Sequence, residues 1–165
     1  MGEIAKAIRI ELAKDDNPPI ADFINTGILP YVVKLIDYDY FQETELMVEL
    51  NWILSNVSSG TPEQTQLLIT LEIIPRALNL LSHINQTVIE NALWILANIA
   101  GDSLEKRDLL LEYGIVEKIN QVLYENLLTE TSLENLTWLI SNLCRGSPYP
   151  NFIKVYYSNV YFNLL

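Results

Sequence analysis

Cysteine and histidine are almost absent: Cys144 and His83 are the single examples in 165 residues. A lone thiol builds no internal disulfide framework and fits a reducing compartment. One Cys and one His so far apart make neither a metal cluster nor a Cys–His nucleophile. Cys144 is expected to pack in the core, and His83, within "LLSHINQT", to be a solvated loop residue. Phosphate-cradling glycine loops and H-E-x-x-H are missing, so no enzyme, no cofactor and no metal site is expected. Acid pairs such as Asp15–Asp16 read as a solvated turn before "NPP". Basic residues are few, ten against twenty-one acids, for a net charge of -11. Such a charge repels nucleic acid and anionic membrane surfaces and attracts basic ligands. No apolar run approaches membrane-spanning length, and "MGEIAKAIRIELAKDD" lacks the apolar centre of a signal peptide. Half of the residues are hydrophobic, enough for a real core, so a soluble intracellular protein is expected.

What is present is periodic. "ELNWILSNVSSG" (49–60), "NALWILANIAGD" (91–102) and "NLTWLISNLCRG" (135–146) each carry W-x-x-x-N and then a glycine. Upstream of the first and third, "NTGILPYVVKLI" and "EYGIVEKINQVL" open an amphipathic helix after Gly27 and Gly114. In the middle copy, "TLEIIPRALNLL" has Glu72 or Ile73 where glycine is expected. A helical period near forty residues marks armadillo or HEAT solenoids, whose stacked repeats share one core. Each repeat reads as a short, a second and a longer third helix, in the last full repeat over 104–112, 115–124 and 130–145. Gly114 stops a helix, Pro30 and Pro75 fall in first turns, and Asp102 and Ser103 are N-cap candidates. The predicted fold is all-α, a right-handed solenoid of three three-helix repeats (20–60, 61–101, 102–146) and a partial fourth (147–165), forming one array over 1–165.

On a helical wheel Trp94 shares its stripe with Thr87, Glu90, Asn91, Asn98 and Gly101, while Leu93, Leu96, Ile99 and Ala100 lie elsewhere. Trp52 falls with Glu45, Glu49, Asn56 and Ser59, interrupted by Val48, and Trp138 with Thr131, Glu134, Asn135, Asn142 and Arg145. Core burial is the ordinary fate of a tryptophan. Three copies in one phase on polar stripes point instead to a surface ladder. Parallel indoles on helices about 8–10 Å apart would leave slots between them. An extended peptide advances at most about 7 Å per two residues, close to one rung. Asparagine offers a donor and an acceptor to its main chain, and indole faces attract cations. The ligand so described is an extended strand rich in Lys and Arg.

These residues resemble the importin α family of nuclear-import adaptors. The likeness runs through "DDNPPIADFINTGILPYVVKLI", "SNVSSGTPEQT", "ENALWILANIAGDSLEKRDLLLEYG" and "LTWLISNLCRG", over the family's repeats one to three and the start of the fourth. It implies recognition of Lys/Arg-rich nuclear localisation signals on a concave Trp/Asn face, and residence in cytoplasm and nucleus. By position, Trp52, Trp94 and Trp138 would flank lysine stems, and Asn56, Asn98 and Asn142 would clamp the peptide backbone. Asp102 would pair with the signal's key lysine, assisted by the Gly60 carbonyl and the Thr65 hydroxyl. Ser59, Glu90, Asn91 and Asn135 would line the groove, Asn91 standing where the family usually has Gln.

The departures narrow the expectation. Family members run to about ten repeats behind a basic arm that binds importin β. Here the first residues hold only Lys6, Arg9 and Lys14 among acids, which argues against importin β binding through such an arm. Alternatives are a generic armadillo interaction scaffold, or a truncated importin α relative with a weak peptide site. Arg145 on the third stripe would bound the site or bond peptide carbonyls. "FIKVYYSNVYFNLL" (152–165) fits a second helix without its third, an apolar end expected to self-associate or be covered by a partner.

Overall fold

A computed structural model describes residues 2–14, 16–37, 44–125 and 128–150. The expected apolar tail, 152–165, lies outside the described residues, as does Asp15 of the acidic turn. Among the described residues there are ten α-helices and no strand. The chain divides into two compact units, residues 1–76 and 77–165.

The first unit holds α1 (Gly2–Leu12), α2 (Ile20–Asn25), α3 (Leu29–Leu35), α4 (Thr44–Ser58) and α5 (Pro62–Thr70). The repeat pattern assigns no element to α1, although Ala5 and Leu12 share a face at helical spacing and both are buried;. α1 packs along α4, which buries Leu46, Met47, Leu50, Ile53, Leu54 and Val57. Each such side chain contributes about 1.5–3 kcal/mol on burial. Thr61 starts α5 through a full capping box with Gln64 and a proline in the first turn, satisfying backbone donors that a helix start leaves open.

α6 (Ile73–Leu80) carries the chain into the second unit, where α7 (Gln86–Asp102), α8 (Leu104–Glu112), α9 (Ile115–Glu125) and α10 (Glu130–Cys144) follow. The last three fall within a residue of the helices read from the sequence. Asn85 caps α7 by accepting from Thr87 N and Val88 N, Ser103 caps α8, and Thr129 caps α10. Asp102 is not a cap but the last residue of α7. α7 and α10 pack side by side. α7 buries Ala92, Ile95, Leu96 and Ile99, and α10 buries Leu136, Leu139 and Leu143.

Gly27 and Gly114 adopt left-handed φ of 74° and 78°, the conformation glycine reaches without steric cost. Glu72, at φ 61°, occupies the equivalent place in the middle copy, so the chain makes the same turn there with a residue that is strained by it. His83 is not a solvated loop residue. It is 3% exposed, and its Nδ1 accepts the Asn85 N–H at 3.0 Å, because the turn into α7 folds the imidazole under the cap. Cys144, expected in the core, is only half-buried, since it ends α10.

Candidate functional site

Helix periodicity puts each tryptophan opposite the leucines and isoleucines that anchor its helix. Trp52, Trp94 and Trp138 are accordingly 38%, 40% and 38% exposed. The surroundings of each decide what it can bind.

In the first unit the Arg9 guanidinium lies over the Trp52 ring, 4.6 Å from its centroid. Glu49 holds it there, accepting from Nε at 2.9 Å and from Nη2 at 3.4 Å. One indole face is thus already paired with a cation from α1, a contact worth about 0.5–2 kcal/mol. One turn on, Asn56 is half-buried, and its Nδ2 is buried with no hydrogen-bond partner. Such a donor costs free energy until something accepts from it. Ser59 Oγ donates to the Asn56 carbonyl at 2.8 Å. Gly60 is half-buried at the end of that turn. Thr65 is buried, its hydroxyl shared between the Ser58 and Thr61 carbonyls at 3.3 and 3.2 Å.

In the second unit the two indoles do not form the expected parallel slot. The Trp94 and Trp138 centroids are 5.0 Å apart with planes tilted 57°. A side-chain stem between two rings needs about 7–8 Å, two carbon–carbon contacts. The tilted contact wins because the ring quadrupoles favour it over a face-to-face sandwich. The space between the rings is therefore too narrow for a side chain, and a ligand can reach only the ring surface facing away from this contact.

Several amides on this stripe are engaged between helices. Asn142 is buried, and its Nδ2 donates to the Ala97 carbonyl at 3.0 Å. Asn135 donates to the Glu90 carbonyl at 3.2 Å, while the Glu90 carboxylate accepts from the Thr129 hydroxyl at 2.6 Å. Arg145 donates to the Gly101 carbonyl at 2.7 Å, which gives it a structural partner that its place on the stripe does not reveal. Asn98 is half-buried on the same face, and Asn91 Nδ2 is buried without a partner. The Asp102 carboxylate accepts from Lys106 Nζ at 2.6 Å, with side chains 13% and 10% exposed. Sequence reasoning passes over Lys106 and Arg9; the i,i+4 spacing of Asp102 and Lys106 is the available signal for the first.

The groups on these stripes are suited to binding. They offer aromatic faces, two unsatisfied amide donors and carboxylates. Among the described residues no three His, Cys, Asp or Glu side chains converge on a metal position, and no helix is long and apolar enough to cross a membrane.

The family model for the armadillo/beta-catenin-like repeat matches residues 61–101. Importin subunit alpha-1b of Oryza sativa subsp. japonica is 37% identical over 153 residues, 93% of this chain and 28% of that protein. Importin subunit alpha-3 of Arabidopsis thaliana is 40% identical over 151 residues, 91% of this chain and 28% of that protein. The chain thus spans somewhat over a quarter of the length of these curated relatives. Among solved structures, a designed armadillo repeat protein in complex with the peptide (KR)4 superposes with a TM-score of 0.80 at 26% identity, covering 99% of this chain and 64% of that one. A computationally designed armadillo repeat protein for modular peptide recognition gives 0.84 at 25% identity, covering 99% and 66%. Over about nine-tenths of its length, this all-α chain is an armadillo-repeat homologue of importin α subunits.

Proposed function

We propose that the chain is a binding module of the nuclear-import adaptor type, recognising extended Lys/Arg-rich nuclear localisation signals and performing no chemistry of its own. The observation that carries this is the set of three outward-facing tryptophans, each one turn before an asparagine, in a chain of net charge -11. The designed armadillo protein in complex with (KR)4, and the importin α relatives, support the same ligand class.

In the second unit the outer faces of Trp94 and Trp138 would take the methylene stems of lysine or arginine, with the charged heads left near water and carboxylates. Asn98 and Asn91 would serve the peptide backbone there, and Asn56 in the first unit. Asn142 and Asn135, whose donors are engaged between helices, would contribute only their acceptor oxygens. A module of this kind would work in cytoplasm and nucleus.

Calorimetric titration with a lysine-rich signal peptide, its alanine counterpart and Trp94→Ala protein tests the proposal. Removing the peptide's lysines or the Trp94 ring should each weaken binding by roughly tenfold or more, and added salt should weaken it further. Binding indifferent to the lysines would overturn it.

A further inference from the structure

Ser103 both ends α7 and, by accepting the Lys106 N–H at 3.2 Å, starts α8. That tight junction sets Lys106 against Asp102. The pair lies largely out of water, with Nζ 2.6 Å from Oδ2, so salt screens it far less than an exposed pair. The Arg145 guanidinium, for its part, bonds the carbonyl of Gly101, which ties the end of α10 to the end of α7. The carboxylate to which the family resemblance assigns the ligand's key lysine is therefore neutralised by the chain itself.

Resting on the peptide-binding reading above, we infer that Lys106 determines specificity. By occupying Asp102 it removes a dominant lysine subsite. The second unit then selects basic peptides through contacts spread over the outer indole faces and the amides, and no single ligand lysine is essential. The ligand class that follows is an extended peptide of distributed positive charge rather than one built around a single obligatory lysine.

The test is a calorimetric alanine scan of a five-lysine peptide against wild-type protein, Lys106→Met and the double variant Asp102→Asn/Lys106→Met, each first shown to be folded by circular dichroism. Against wild type, no single substitution should dominate. Lys106→Met keeps the stem but frees the carboxylate, so the parent peptide should bind roughly tenfold tighter, and one lysine should now account for the gain. The double variant should return to the wild-type affinity and scan. One lysine dominating wild-type binding would overturn the inference without any variant, and so would Lys106→Met binding no tighter than wild type. In both cases the peptide-binding reading stands. If neither the wild type nor either variant binds, that reading falls and takes this inference with it.

Discussion

Asn142 separates a helix tie from a ligand clamp. Its buried amide donates to the Ala97 carbonyl of α7 and lies against Gly101, where an added Cβ would sit 3.0 Å from Nδ2. Truncation in Asn142→Ala removes one buried hydrogen bond, about 1 kcal/mol. It also leaves an unfilled volume at the α7–α10 seam, about another 1 kcal/mol given partial collapse. The expected loss is therefore about 2 kcal/mol. With a urea dependence near 2 kcal/mol per molar, the unfolding midpoint should fall by about 1 M at unchanged slope. Circular dichroism at 222 nm is the suitable signal, because fluorescence from the nearby tryptophans would respond to the substitution itself. A midpoint for Asn142→Ala within about 0.2 M of wild type, together with weakened peptide binding, would refute the reasoning and return the amide to the ligand.

Two further outcomes are expected. Glu72→Gly relieves a left-handed residue worth about 1–2 kcal/mol of strain, offset in part by the extra unfolded-state freedom of glycine. The substitution also removes the exposed ion pair of Glu72 with Arg76, so Glu72→Gln, which keeps the left-handed side chain without the charge, is the reference. Against it a net gain of about 0.5–1 kcal/mol should raise the melting temperature by a few degrees, and a value no higher than that reference would show that the turn carries no strain. His83 has its imidazole held below the ordinary value of 6.5 by burial. The folded state thus binds this proton less readily than the unfolded chain, and its contribution is complete above about pH 6.5. Stability should decline as pH falls from there toward the lowered folded value. Thermal melts between pH 7.5 and 5 read the slope, and His83→Gln should flatten it.

Helix placement is legible in the sequence because it depends on near neighbours. Gly114, the Ser103 and Thr129 caps, and the spacing of apolar residues bound α8, α9 and α10 to within a residue. The same periodicity puts the tryptophans opposite the core residues. It also carries enough to suggest α1, through Ala5 and Leu12, though a short helix among charges is easily passed over. Glu72 stands where glycine belongs, and the backbone makes the left-handed turn regardless. Packing of the surrounding helices outweighs one strained residue.

The partners of the site residues are a different matter. A wheel assigns a face, but not which donor on a neighbouring helix reaches it. Its stripe alone leaves Asn142 open to a peptide, yet it meets Ala97, 45 residues away in the chain. The spacing of helix axes predicts a Trp94–Trp138 slot, and ring orientation closes it. His83 looks like a loop residue from its neighbours in sequence, and the turn beneath the Asn85 cap buries it.

The amino-acid sequence by itself determined the all-α repeat, the caps, the acidic charge and the outward phase of three indoles, since each follows from periodicity and local hydrogen bonding. Tertiary structure alone decided that Arg9 covers Trp52 and that buried amides tie α7 to α10. Those outcomes depend on how closely elements distant in the chain approach, and a few tenths of an ångström there decide which acceptor a donor meets.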